Sequence, residues 1–239
     1  MDDTAFYQVS TLNSLMLGNF DGVVSVEELL RHASWGVGTF EGLDGEAVLC
    51  DGHVYDGRAD GSCTEQGPSA LLPFCAAADF TGEAERFSIH DCCSLAAVEE
   101  ALDAARDDGN DNLWHLVALH GLFPQVRWRS CPKQEKPYPT MEACAREQRE
   151  FEAHAQAGWV IGVRVPPYMA GVNMPGWHLH FLSEDRRRGG HLLDLAVQVA
   201  AGRLQSYHEF QLVVPVSPEF GSEDLTQDLS TETRRVEGQ

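Results

Sequence analysis

Residues 175–195 read PGWHLHFLSEDRRRGGHLLDL, and this stretch predicts two β-strands joined by a charged turn. The segment FLSEDRRRGG is long and polar enough to reverse the chain, and Gly189 and Gly190 permit the positive φ angles of a tight turn. The pattern of strands and turns extends from about residue 158 to Val214. We therefore expect an antiparallel sheet in the C-terminal part of the chain.

The same stretch carries three histidines that a hairpin would bring together. Side chains at positions i and i+2 of a strand share a face, about 6.5 to 7 Å apart, so His178 and His180 point one way and Leu179 the other. The turn would return His191 to the side of this pair. Three neutral imidazoles form a common catalytic zinc shell that leaves a position for water or substrate. The pattern predicts a zinc site; the competing interpretation is a polar strand with solvent-facing histidines.

The composition argues against nucleic acid and membrane surfaces as partners. The 239 residues include 37 acidic and 17 basic side chains, which gives a formal net charge of −20 at pH 7. Such a surface repels phosphate backbones and anionic lipid headgroups. No run of about 18 apolar residues predicts a membrane-spanning helix. An anionic substrate would need a local arginine or a metal ion to attract it.

The cysteines and the N-terminal residues favour a reducing compartment. The seven cysteines contain no C-x-x-C pair, and Cys92 and Cys93 are adjacent, which argues against a disulfide framework. The first residues, MDDTAFYQVS, lack the basic and apolar regions of a signal peptide. We therefore expect a cytoplasmic protein.

Local patterns predict further helices and strands. Ser25 and Glu28 form a capping-box pattern at the start of a short helix, and Asp51 and Gly52 suit the turn of a β-hairpin within residues 36–57. The other predicted elements are a helix from Ser94 to about Arg106, strands within 112–121 and 125–130, and a helix that begins near Thr140 in TMEACAREQREFEAHA (140–155).

These elements predict an α/β (α+β) fold in two domains, with a boundary near residue 157. Residues 1–157 would form an N-terminal mixed-sheet domain, and residues 158–221 a C-terminal antiparallel-sheet domain that carries the histidines. The remaining residues, 222–239, are polar and poor in core-forming side chains, so their composition alone favours a solvated tail.

The histidine pattern partly resembles the first motif of the cupins. His178 and His180 are followed by Glu184 and a later glycine, as in that motif. A cupin takes its fourth ligand from a second motif further along the chain, whereas His191 follows within the same turn, and His208 lacks the expected surroundings. A cupin-like metal-dependent dioxygenase or isomerase is therefore an alternative.

Four motifs, in order, resemble the alpha-acetolactate decarboxylase family over nearly the whole chain. They are YQVSTLNSLMLGNFDG (7–22), GVGTFEGLDGE (36–46), RSCPKQEKPYP (129–139) and GWHLHFLSEDRRRGGH (176–191). The resemblance implies two domains, each a mixed or antiparallel β-sheet with peripheral helices, and an active site between them. It also implies a carbon–carbon lyase of acetoin biosynthesis and the butanediol pathway, which converts 2-acetolactate to (R)-acetoin and carbon dioxide.

The resemblance implies roles for individual residues. Trp177 stands where the family usually has tyrosine, and Cys131 where it usually has valine, and both differences concern the shape of the substrate pocket. The matching Zn²⁺ ligands are His178, His180 and His191. The matching active-site residues are Arg129, Glu46 and Thr39, with Glu237 in a C-terminal tail (222–239) that reaches back to the site.

The implied reaction needs these residue types. Loss of carbon dioxide from acetolactate leaves an enediolate, whose charge a zinc ion would stabilise while it orients the substrate. Arg129 would hold the carboxylate, and Glu46 is the candidate acid, with Thr39 or water positioning the proton. A non-catalytic module that binds a small ligand or a metal is the alternative outside the enzymes. The sequence leaves open whether the chain forms a homodimer.

Overall fold

The computed structural model describes residues 5–106 and 109–237, apart from the Glu237 side chain. The strands are β1 (Phe6–Val9), β2 (Val24–Ser25), β3 (Trp35–Thr39), β4 (Glu46–Cys50), β5 (His53–Gly57), β6 (Cys63–Glu65), β7 (Leu71–Leu72), β8 (Phe74–Ala78), β9 (Glu85–Cys92), β10 (Trp114–Ser130), β11 (Arg149–Val165), β12 (Gly176–Ser183), β13 (Gly189–Tyr207) and β14 (Phe210–Val213). The helices are α1 (Leu12–Met16), α2 (Val26–Leu29), α3 (Leu95–Ala104), α4 (Met141–Ala145), α5 (Pro218–Ser222) and α6 (Ser230–Glu237).

Two sheets form the body of the molecule. The seven-stranded sheet has the order β14-β1-β8-β3-β4-β5-β6, and β2 pairs with β7 beside it. Strand β14 is parallel to β1, whereas the other neighbours in this sheet are antiparallel. The five-stranded sheet has the order β10-β11-β12-β13-β9 and is antiparallel. Strand β10 also pairs with β13, so β10, β11, β12 and β13 form a closed sheet. The α/β fold class expected from the sequence is therefore confirmed.

Alternating side chains of the long strands build two cores. One face of β10 points into the closed sheet, where Val117 and Leu119 pack with Phe181. The opposite face packs against the seven-stranded sheet, where Leu116 and Ala118 share a buried cluster with residues of β3 and β4. Successive side chains of β10 point to opposite faces, and both faces are apolar and buried. One face therefore fills the core of the closed sheet, and the other packs against the seven-stranded sheet.

Three local predictions are confirmed. The hydroxyl of Ser25 accepts a hydrogen bond from the backbone N–H of Glu28 and caps α2, and Ser94 caps α3 in the same way. Asp51 and Gly52 both have positive φ angles in the turn between β4 and β5, as a two-residue hairpin requires.

The helix expected over residues 140–155 is wrong for most of its length. Helix α4 ends at Ala145, and the chain enters strand β11 at Arg149. Residues 149–157 pair in register with β10 from Ser130 back to Leu122. The alanine and glutamate content of this segment favours a helix locally, but the long-range ladder to β10 decides its conformation.

The expected domain boundary near residue 157 stays a prediction. Ala157 lies within β11, and β14, from the C-terminal part of the chain, pairs with β1 near the N-terminus. The polar segment 222–237 is not uniformly solvated, because Thr233 and Val236 of α6 are buried. No helix in the described residues is long and apolar enough to cross a membrane.

Candidate active site

The three histidines of the opening stretch meet on the hairpin between β12 and β13. His180 lies directly opposite His191 in the ladder, and Leu179 faces the closed-sheet core instead. His178 Nε2 lies 3.1 Å from His191 Nδ1 and 3.2 Å from His180 Nε2. The three ligand atoms lie within 4.8 Å of one another, so the side chains can bind one metal ion.

A hydrogen bond to the other sheet fixes the orientation of His180. Its Nδ1 donates to the carbonyl oxygen of Ala47 at 2.9 Å, so in the neutral ring Nε2 carries the lone pair and faces the other histidines. His180 is fully buried, and burial, followed by the proximity of His178, lowers its pKa well below the ordinary value. A neutral imidazole is the form that binds a metal ion.

Glycines allow the two sheets to approach each other closely beside the site. A side chain on Gly57 of β5 would overlap the carbonyl oxygen of Gly189 in the other sheet, and within the five-stranded sheet a side chain on Gly190 would overlap the carbonyl oxygen of Arg129. Ser130 Oγ donates to the carbonyl oxygen of Gly57 at 2.7 Å and joins β10 to β5. This close contact brings the start of β4 over the histidine hairpin.

Arg129 and Glu46 form a buried ion pair across the contact. Arg129 is 1% exposed and Glu46 is 9% exposed. Arg129 Nη1 donates to Glu46 Oε1 at 3.2 Å, while Glu46 Oε2 lies 3.7 Å from His180 Nε2. Arg129 is also the ladder partner of His191 on the neighbouring strand. The pair therefore sits directly beside the three histidines.

Thr39 lies on β3 next to Glu46. The two residues are ladder partners, and the Thr39 hydroxyl donates to the carbonyl oxygen of Gly45 at 2.7 Å. Gly45 has a positive φ angle of 85°, which glycine adopts readily. Thr39 thus stabilises the turn that leads into Glu46, and both residues line the same cavity.

The cavity at the site is small and has an apolar wall that sequence reasoning missed. Its volume is about 20 Å³, and it includes Thr39, Glu46, Arg129, His178 and His191. The apolar residues of the wall are Leu12, Leu15, Leu43, Phe74 and Met141. Their sequence pattern indicates only burial, because nothing in it distinguishes a pocket wall from ordinary core.

Other residues singled out in the sequence lie elsewhere. The Glu184 side chain contacts His120 at 2.7 Å on the surface, so this cupin-motif residue is not part of the site. Trp177 points into the closed-sheet core and donates to Asp103 at 3.0 Å, whereas Cys131 lies in the apolar cluster around α1 and α4. Glu237 is the last residue of α6, and its side chain lies outside the described part of the molecule.

Comparison with known proteins agrees with this arrangement. Residues 6–227 match the family model described as alpha-acetolactate decarboxylase. A relative of that name from Methanosarcina mazei is 37% identical over 97% of this chain and 79% of its own length, and one from Brevibacillus brevis is 33% identical over 98% and 81%. The crystal structure of alpha-acetolactate decarboxylase from Bacillus subtilis strain 168 superposes with a TM-score of 0.92 at 30% identity, covering 98% of this chain and 99% of that one. The chain therefore belongs to the alpha-acetolactate decarboxylase family, an enzyme family of carboxy-lyases.

Proposed function

We propose that this protein is a zinc-dependent acetolactate decarboxylase that releases (R)-acetoin and carbon dioxide. One observation carries the proposal: three histidine nitrogens converge within 4.8 Å beside a buried arginine–glutamate pair. Zinc-loaded protein supplied with acetolactate should release acetoin, and metal-free protein should not.

Reduced cysteines support a cytoplasmic location, since all seven are free thiols.

The histidines fit a zinc ion. Two ligands of a tetrahedral zinc ion, each about 2.0 to 2.1 Å from the metal, lie about 3.3 Å apart. The separations of 3.1 and 3.2 Å around His178 Nε2 agree with that value. Glu46 Oε2 and His180 Nε2 both carry lone pairs and face each other at 3.7 Å, an arrangement that a cation stabilises. A bound zinc ion would supply a Lewis acid for the negative charge left on substrate oxygens when carbon dioxide leaves.

Arg129 is placed to bind the carboxylate that the substrate loses. A guanidinium has five N–H donors in a fork, so Arg129 can hold Glu46 and a substrate carboxylate together. Its burial excludes water and strengthens this attraction, which the net charge of −20 otherwise opposes. The carboxylate must leave as neutral carbon dioxide, so this contact orients the breaking bond without adding to the charge stabilisation of the transition state.

Glu46 is our candidate for the proton donor. The enediolate that remains after loss of carbon dioxide needs one proton at carbon, delivered to a single face to give a chiral acetoin. Glu46, a carboxylate in its pair with Arg129, would take this proton up from water, pass it to the carbon and return to the carboxylate. Glu46 projects from β4 toward the histidines, with Oε1 held by Arg129 and Oε2 turned to His180. Thr39 fixes the preceding turn through Gly45 and so positions the carboxyl group.

Replacement of Arg129 by glutamine should reduce kcat/KM by roughly 10- to 100-fold, because a charged hydrogen bond contributes about 1.5 to 3 kcal/mol. It should also lower the free energy of unfolding by about 3 kcal/mol, since Glu46 would lose its buried partner. Steady-state kinetics and urea unfolding measure the two effects. Arg127→Gln is the matched control: Arg127 lies two residues away on β10 and pairs with Glu150 in solvent, so it should change little. Equal effects of the two substitutions would contradict the role of Arg129.

Glu237 remains a proposed active-site residue from the family resemblance. Its neighbour Val236 packs in the cluster that includes Leu12, Leu15 and Met141 of the cavity wall, which supports the proposal. Glu237→Gln should lower kcat by at least about tenfold with an unchanged unfolding midpoint. Glu232→Gln, on the same helix, should behave like the wild type. Wild-type kinetics in Glu237→Gln would leave this residue without a catalytic role.

A further inference from the structure

The cavity at the histidines is too small for the proposed substrate. A volume of about 20 Å³ holds about one water molecule, whereas acetolactate is a five-carbon hydroxy-keto acid. The substrate can therefore fit beside the histidines only if a neighbouring side chain moves. Movement of a wall residue opens a route only if it connects the histidine site with a larger space.

A larger cavity lies on the other side of Leu12. Its volume is about 520 Å³, and it extends beneath the segment Leu225–Arg234. Asn173 and Met174 form another part of its wall. Leu12 lines both cavities, so its side chain borders the larger space and the histidine site.

Hydrogen bonds to α1 and its neighbours hold the roof of this larger cavity. Asn13 Nδ2 donates to the carbonyl oxygens of Leu225 and Gln227, at 3.0 and 3.1 Å. Ser14 and Asn19 both donate to Glu223 Oε2. The roof is thus fixed to the helix that carries Leu12, and the cavity is a built feature of the fold.

One arginine and one aspartate are the charged residues that line the larger cavity. Arg234 lines it and forms no ion pair with any carboxylate that the structure describes, whereas the adjacent Arg235 pairs with Glu142 at 3.5 Å outside it. Asp228 also lines the cavity, and hydrogen bonds from Ser230 together with the charge of Arg234 lower the pKa of its carboxyl group, so it is an anion in the same space. Arg234 is therefore a local cation in a protein whose overall field repels anions.

We propose that this cavity is the access chamber of the histidine site, with Leu12 as its gate and Arg234 as the cation that attracts the substrate carboxylate. The inference rests on the proposed function, because it takes the ligand to be a small carboxylate. The inference adds a route for the substrate, and it gives Leu12 and Arg234 roles in substrate entry before the chemical steps.

The role of Arg234 is tested by comparing Arg234→Gln with Arg235→Gln. Arg234→Gln should lower kcat/KM for acetolactate by roughly 3- to 10-fold at low salt, leave kcat unchanged and weaken the salt dependence. Arg235→Gln should stay within about twofold of the wild type, since its charge lies outside the chamber. Equal values for the two variants at every salt concentration would overturn the role of Arg234.

The gate is tested by a reaction that needs no turnover. Pyridine-2,6-dicarboxylate, an anionic chelator, should remove zinc from the loaded protein several-fold faster in Leu12→Ala than in wild type, and more slowly in Arg234→Gln. Leu229→Ala, elsewhere in the chamber, is the control, and Leu12→Val is the milder variant if Leu12→Ala does not fold. Unchanged removal rates in both folded Leu12 variants would overturn the gate. If the wild type releases no acetoin, the proposed function is wrong. The rates of zinc removal by the chelator would still show whether Leu12 controls access to the histidine site.

Discussion

His178→Ala and His191→Ala are expected to reduce the zinc content to a small fraction and to lower acetolactate turnover by at least about 10³-fold. Each substitution removes one of three ligand nitrogens that lie within 4.8 Å of one another. Two imidazoles hold zinc much more weakly than three, and a bound zinc ion acting as a Lewis acid would contribute several kcal/mol to stabilisation of the substrate charge. Metal analysis of purified protein should fall from close to one zinc per chain in the wild type to a small fraction in either variant.

The control for the ligand substitutions is another histidine on the same sheet. His154 lies on β11, its side chain is exposed, and it contacts Glu152 at the surface. His154→Ala should keep its zinc and its activity. Both ligand variants should fold, because His178 is only partly buried and the buried His191 side chain borders an existing cavity. Full zinc retention in both variants would refute the metal site.

Glu46→Gln should lower kcat by about 10²- to 10⁴-fold, the range expected when a general acid is lost. Glutamine has nearly the same shape and can still accept from Arg129, but it cannot deliver a proton from its amide. The zinc content should stay close to that of the wild type. Protonation would then come from water, so the acetoin should lose optical purity, which chiral chromatography measures.

Glu41→Gln provides the matched control for Glu46. Glu41 is exposed five residues earlier in the same motif and accepts a hydrogen bond from the backbone of Gly22. Its replacement should leave kcat and the enantiomer ratio unchanged. If Glu46→Gln produced acetoin at the wild-type rate and optical purity, another group would have to be the acid.

The histidine hairpin is the part of the site that local sequence rules could anticipate. Alternation along β12 puts His178 and His180 on one face, and the return strand brings His191 back beside them. The left-handed residue of the turn is Arg186, whereas Gly189 and Gly190, expected in the turn, already lie in β13. These relations involve residues within one turn of each other, so they do not depend on how the sheets pack. The fold class was accessible for the same reason, because strand and turn patterns are local.

The meeting of Glu46 with Arg129 could not be derived from local patterns. The two residues lie on different sheets, 83 positions apart in the sequence, and their contact depends on the close approach at Gly57 and Gly189. Family resemblance indicated both residues but not their direct ion pair. The same long-range dependence explains the error at residues 149–155, where pairing with β10 prevails over helix propensity.

The C-terminal segment was the least accessible from composition. Its polar residues suggest solvation, yet Asn13 binds two of its carbonyl groups and Val236 completes the apolar cluster under the site. Backbone carbonyl groups carry no sequence signature, so a segment held through them is not visible in its side chains.

The central claim is that the histidine site decarboxylates acetolactate with the help of zinc. The most direct measurement follows acetoin release from racemic acetolactate by metal-free protein before and after addition of one equivalent of zinc. The proposed function predicts negligible release before the addition and catalytic release of (R)-acetoin after it. No acetoin from protein shown to hold zinc at His178, His180 and His191 would contradict it.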